Sequence, residues 1–230
     1  MKKIKELLFD FDGLVIDTEY SIYQSWQQLY QEYECQIPFD QWATTIGAAE
    51  HEFTFDPLSE LERQLGKKFA QPQQILDRRR EIEKRFIEEL EILPGVKDYW
   101  DDAKVLGLKI GLASSSVQQW IDDNLTRLQI RDYFDCIRTA DDVKHSKPDP
   151  ALYLETMACL GVTAEQGIAF EDSPNGILAA SRAGLYTVVV PNDLTRRLPL
   201  QAANLCLDSL KELKLHELIN KVESNSWKRK

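Results

Sequence analysis

No run of apolar residues in this 230-residue sequence reaches the roughly 18 needed to span a bilayer, so no membrane partner is expected. The opening MKKIKELLFDFDG is basic and then apolar, as an export signal would be, but Asp10 interrupts the apolar stretch after Leu7, Leu8 and Phe9. That is too short for the apolar segment of a signal peptide. Basic charge is also in deficit: 28 Lys and Arg against 38 Asp and Glu leave a net charge of −10. A nucleic-acid binder carries a basic face, so that class is excluded. The closing Lys228-Arg229-Lys230 reads as a short solvated tail.

Cysteine and histidine are equally sparse. Cys35, Cys136, Cys159 and Cys206 are widely scattered with no C-x-x-C, and the three histidines have no paired spacing. Neither a zinc site nor a disulfide framework is expected; the cysteines read as reduced core thiols of a cytoplasmic protein. Internal repeats and low-complexity linkers are missing too. What is there, 43% apolar and 29% charged residues, is an ordinary globular chain, long enough for one large domain or a domain with an insert.

Residues 4–9 (IKELLF) predict a short strand ending at Asp10. Residues 19–34 have helical spacing, with Tyr23, Trp26, Tyr30 and Tyr33 recurring every three or four positions as an apolar core stripe. Helices are also expected over 59–65 and 72–90, the second carrying Arg78-Arg79-Arg80, which reads as a solvated face. No strand pattern lies between Tyr20 and Leu90. After Leu93-Pro94-Gly95 the texture changes: short β-branched runs at 108–113, 136–139, 167–170 and 186–190 are separated by helical stretches at 96–106, 117–128, 151–160 and 176–183. Strands alternating with helices imply parallel βαβ units. The expected fold is therefore α/β, a doubly wound, Rossmann-like parallel sheet built from residues 1–17 and 91–230, with an all-helical domain (18–90) inserted after the first strand.

In an open parallel sheet, ligands bind at the carboxyl ends of the strands. The first strand ends in Asp10-Phe11-Asp12, the second in Ser114-Ser115-Ser116 and the fourth in Glu171-Asp172-Ser173; His145-Ser146-Lys147-Pro148 lies beyond the third. Any one of these acids or serines alone reads as a helix N-cap. Together they place four carboxylates, hydroxyls and one lysine on one sheet edge. Asp10, Asp12, Glu171 and Asp172 form a hard-oxygen set suited to Mg²⁺. Ser114 and Lys147 instead offer a phosphoryl group a hydroxyl and a point positive charge. A carboxylate beside a phosphoryl group is also a competent nucleophile.

This constellation resembles the haloacid dehalogenase superfamily of phosphohydrolases, in its β-phosphoglucomutase-like and phosphoglycolate-phosphatase-like branch. The motifs are DFDGLVIDT (from Asp10), KIGLASSS (with Ser114), HSKPDP (with Lys147) and FEDSPNGILAA (with Glu171 and Asp172). The resemblance implies a Mg²⁺-dependent phosphatase acting on a small phosphorylated metabolite through an aspartyl-phosphate. Asp10 would be the nucleophile and Asp12 the acid, then the base. Ser114, Ser115 and Lys147 would hold the phosphate. Asp10, Glu171 and Asp172, with Asp12 through its main-chain carbonyl, would hold the metal. The helical insert falls where the family places its cap, whose loop sets the substrate; Gly47, Glu50 and His51 are the candidate contacts. Where the mutase of this branch carries a cap histidine and a cap arginine, this chain has Ile22 and Glu50. Hydrolysis is expected over phosphosugar mutation, with a mutase and a non-catalytic domain of the same fold as alternatives, and with a monomer or weak homo-oligomer as the working form.

Overall fold

The computed structural model describes residues 3–47 and 53–224. Among them, six strands form one parallel sheet in the order β3-β2-β1-β4-β5-β6. They are β1 (Glu6–Phe9), β2 (Lys109–Ala113), β3 (Cys136–Arg138), β4 (Gly167–Glu171), β5 (Tyr186–Val189) and β6 (Leu205–Cys206). The expected doubly wound α/β fold is what forms. β1 lies at the centre, with Phe9 in register with Leu112 of β2 on one side and Phe170 of β4 on the other. Leu7, Leu8 and Phe9 are apolar on both faces because both faces are covered. On one face Phe9 stacks on Phe170, with ring centroids 4.7 Å apart, and meets Trp100 edge-on. On the other, Leu8 joins a cluster with Leu152, Tyr153 and Ala180.

The covering helices are α5 (Val96–Leu106), α6 (Gln118–Leu128), α7 (Ala151–Leu160), α8 (Pro174–Arg182) and α9 (Leu215–Glu223). Strand β6 and helix α9 were not expected. Two residues are too few for a periodic signal, but β6 still pairs with Val188 and Val189 of β5. α9 buries Leu215, Leu218 and Val222 against the same core that holds Trp100.

Between β1 and α5 the chain forms α1 (Thr18–Glu32), α2 (Phe39–Trp42), α3 (Pro57–Leu65) and α4 (Pro72–Glu88). Asp17 caps α1 by accepting from the Tyr20 amide, the structural role an Asp before a helix commonly takes. These helices share an apolar cluster, including Tyr23, Trp26, Leu29, Tyr30 and Trp42, with Tyr33 packed against it and Leu194 joining from the segment after β5. Arg78 and Arg80 are exposed and paired with Glu32 and Asp77, whereas Arg79 turns inward over the Trp26 ring and pairs with Glu83.

One expectation is corrected. Cys136 on β3 and Cys159 on α7 form a disulfide, their Cα atoms 6.4 Å apart, and Cys206 is an exposed free thiol at the sheet edge rather than a core residue. α7 returns across β2 and β3. A separation of 23 residues in sequence carries no sign of that return.

Candidate active site

Soon after β1, residues 11–16 make a tight turn. Gly13 has φ +85°, its amide donates to the Ile16 carbonyl at 2.8 Å, and a Cβ there would stand 2.2 Å from Asp172 Oδ2. Only glycine fits both demands. The turn presents Asp10 toward β4 and Asp12 toward β2, so neighbouring carboxylates face different partners.

Asp10 is buried, 5% exposed. Lys147, itself 1% exposed, reaches it from the loop after β3, with Nζ 2.5 Å from Asp10 Oδ1 and 2.7 Å from Glu171 Oε1. Tyr153 of α7 donates its hydroxyl to the same Glu171 oxygen, and its ring lies under the ammonium. Burial pushes the Asp10 carboxyl up to about 7, with Lys147 pulling it down and Glu171 pushing it further up. Burial likewise raises Asp172 well above the carboxylate range, helped by Asp10 and Glu171. Burial works against the Lys147 charge, but the Asp10 and Glu171 carboxylates outweigh it and the ammonium is held.

Asp10, Glu171 and Asp172 place carboxylate oxygens within 4.8 Å of one another. The oxygens Glu171 Oε2 and Asp172 Oδ1 are buried and accept no hydrogen bond. A buried carboxylate oxygen without a donor is costly, and three convergent carboxylates with two such oxygens fit a hard divalent cation. The fold makes room for this: a Cβ on Gly176 of α8 would stand 1.8 Å from Glu171 Oε2. Asp172 is fixed through its other oxygen by Asn192, whose Nδ2 donates at 3.0 Å and also lies 3.3 Å from the Gly13 carbonyl. Nothing in the local sequence marks Asn192, which lies on the loop after β5.

The Asp12 side chain does not join the acidic group. Its Oδ1 accepts from Thr18 Oγ1 at 2.7 Å and Trp120 Nε1 at 2.9 Å, and its Oδ2 from Ser116 Oγ at 2.7 Å. Ser114 Oγ lies 3.4 Å from Oδ2 and accepts the Ser116 amide. Ser115 turns away: its hydroxyl donates to the Gly47 carbonyl of the helical insert and accepts from Ser146. The Gly47 amide in turn donates to Glu19 Oε1 at 3.3 Å, and Asn175 Nδ2 donates to the Ile46 carbonyl, so three core-facing groups hold this loop. Burial raises Glu19 to about 8, with Asp12 adding to the push. Of the insert contacts expected, Gly47 is thus beside the site, while Glu50 and His51 lie outside the described residues.

A cleft of about 490 Å³ opens where Thr44 of the insert faces Lys147, Asn175 and Arg182 of the sheet domain. That is the size of a small-molecule site. No helix among the described residues is long and apolar enough to cross a membrane.

The haloacid dehalogenase-like hydrolase family matches residues 7–190, from β1 to just past β5. The chain is 42% identical over 97% of its length to the whole of YhcW from Bacillus subtilis (strain 168), a protein that carries a phosphatase name. It is 31% identical to the phosphorylated carbohydrates phosphatase of Thermotoga maritima, over 80% of this chain and 84% of that one. Among solved structures it is similar to β-phosphoglucomutase from Clostridium difficile, with a TM-score of 0.74, 28% identity, and coverage of 97% of this chain and 99% of the other. The acids at the ends of β1 and β4 and the lysine between them therefore sit in a known frame: the chain belongs to the haloacid dehalogenase-like hydrolases and is a phosphoric monoester hydrolase of that type.

Proposed function

We propose that this enzyme hydrolyses a small phosphorylated sugar, with Mg²⁺ bound and Asp10 taking the phosphoryl group. The observation that carries the reading is the pairing of Asp10 with Lys147 on one side and with the Glu171–Asp172 oxygens on the other. A nucleophilic carboxylate in this position has a cation to neutralise the incoming phosphate and a donor-free pair of oxygens for a metal. Mg²⁺ would be held by Asp10, Glu171, Asp172 and the main-chain carbonyl of Asp12, and when bound it supplies charge neutralisation of the phosphoryl oxygens. Lys147 and the Ser114 hydroxyl orient the phosphate. Asp12 protonates the leaving oxygen and then takes a proton from the attacking water.

The sugar preference is supported by the Thermotoga maritima relative, named for phosphorylated carbohydrates, and by the polar cleft shared with the insert. We further assign residues 18–90 the role of a cap that closes over the substrate and excludes water during transfer. The partly buried Ile22, packed in the cap's apolar cluster, offers no proton, which favours hydrolysis over mutation.

The test is phosphate release from a panel of sugar phosphates and p-nitrophenyl phosphate with Mg²⁺. Asp10→Asn is expected to bring turnover of every ester to background, and EDTA to do the same to the parent enzyme. An Asn variant with full Mg²⁺-dependent activity would remove Asp10 as nucleophile. Isomerised hexose 1-phosphate without free phosphate would replace hydrolysis by transfer.

A further inference from the structure

The two oxygens of Asp12 stand in unlike surroundings. Oδ1 accepts from Trp120 Nε1 and Thr18 Oγ1; Oδ2 faces Ser116 and Ser114. An indole N–H can only donate, whereas a serine hydroxyl can turn and accept. A proton on Oδ1 would confront the indole hydrogen. A proton on Oδ2 can point to a hydroxyl oxygen. We propose that Trp120 is a positioning residue for the acid–base step: its N–H pins Oδ1 of Asp12 and so reserves Oδ2 as the oxygen that exchanges the proton. This rests on the reading of Asp12 as acid and base.

The local structure supplies the rigidity such a role requires. β2 ends at Ala113, and α6 begins at Gln118 with Val117 as its N-cap residue. Ser116 and Trp120 are thus four residues apart across the helix start, on the side that faces Asp12. The indole body packs against the core cluster that contains Phe9 and Trp100 while its edge reaches the carboxylate. An aromatic ring anchored in apolar surroundings with one polar edge is a stiff donor. Thr18, the first residue of α1, completes the grip on Oδ1 from the cap side.

In the first transfer an Asp10 oxygen bonds to phosphorus as the bond to the sugar oxygen breaks, and the proton on Asp12 Oδ2 passes to that sugar oxygen. In the second, water bonds to phosphorus, its proton passes to Oδ2 and the bond to Asp10 breaks, restoring both carboxyls. The need for the proton grows with the basicity of the leaving oxygen. A sugar alkoxide depends on it; p-nitrophenolate leaves without it. This gives a readout that loss of packing does not share.

Trp120→Phe retains the ring and loses the N–H. For the alkyl ester that the parent enzyme hydrolyses best, kcat/KM, which reports the first transfer, is expected to fall ~10-fold or more, within the range general acid catalysis supplies. For p-nitrophenyl phosphate it is expected to fall by less than about 3-fold, since little protonation is required there. Trp120→His, which returns a ring N–H, is expected to move the alkyl-to-aryl ratio back toward the parent value, and it serves on its own if the Phe variant folds poorly. Equal losses with both esters, no loss with either, or a His variant with the ratio of the Phe variant would overturn the assignment. Asp12→Asn keeps the two levels apart. If it turns over alkyl esters at the parent rate, the acid–base reading itself fails; if it is inactive while Trp120→Phe is unchanged, only the role of Trp120 does.

Discussion

Strand β1 buries a carboxyl group near each end, and the two are treated in opposite ways. Glu6, at the start, is 0% exposed and neither of its oxygens accepts a hydrogen bond. Burial pushes it up to about 8, with Lys109 pulling the other way. Asp10, just past the other end, is buried as well and is pushed up to about 7, but an ammonium touches it and two further acids converge on it. A carboxyl taken out of water either sheds its charge or acquires a partner. Glu6 does the first and Asp10 the second. Position in the fold explains the difference. The loops that leave the carboxyl ends of β1 to β5 meet around Asp10 and Asp12: Lys147 reaches Asp10, Ser114 and Ser116 face Asp12, and Asn192 holds Asp172, so residues distant in sequence can be recruited there. Glu6 lies at the end without them.

The comparison can be broken most severely at Lys147. Lys147→Met leaves Asp10, like Glu6, without an ammonium in contact. Phosphate release is expected to fall by at least ~10²-fold, the usual consequence of losing one preorganised group aimed at developing charge. Removing the cation from a buried pair should also destabilise the fold by ~3–5 kcal/mol at pH 8. The destabilisation should shrink at pH 5, where Asp10 can take up a proton. Urea unfolding at the two pH values measures this, and equal losses at both would show that the ammonium does not compensate a charged Asp10.

A smaller change tests whether the acids at the functional end are held for a cation. In Gly176→Ala the new methyl group would meet Glu171 Oε2 at 1.8 Å and Cδ at 2.0 Å, so the carboxylate must shift. Mg²⁺ affinity measured by calorimetry is expected to drop by ~10–100-fold, as for other residues that set the orientation of metal ligands. Unchanged affinity would mean that Glu171 is not held in place by α8 for a metal.

How much of this was legible in the sequence follows from how local each signal is. The strand ends were readable because an apolar run stops at a polar residue, and Asp10, Ser114, Glu171 and Asp172 mark those stops. Lys147 marks no strand end itself and was readable from the loop beyond the third strand, where a lysine joins the same sheet edge. Trp120, Tyr153 and Asn192 were not singled out. Each lies within a helix or loop whose local pattern is ordinary, and each gains its role from a partner at least 18 residues away. The Cys136–Cys159 disulfide and the inward turn of Arg79 escaped for the same reason. Glu6 is a different case. Nothing in IKELLF marks Glu6 as buried, and only the closure of the sheet around it makes it so.

Glu6→Gln is expected to leave turnover unchanged and to show only in the pH dependence of stability. Below pH 4.5 Glu6 is protonated in both the folded and the unfolded chain and contributes no pH dependence. Above that value the unfolded chain releases the proton, while the folded protein keeps it until about pH 8. Between the two the unfolded state binds fewer protons, so stability declines as pH rises. At about 1.4 kcal/mol for each pH unit of separation, the loss amounts to ~5 kcal/mol at most by pH 8.5. Glutamine carries no such proton. Its variant should match the parent at pH 4 and unfold at a higher temperature at pH 8.5, by ~2–4 °C for each kcal/mol. Thermal midpoints of the two proteins that fall in parallel across this range would show that Glu6 is ionised in the folded chain, and protonation would then no longer distinguish the two ends of β1.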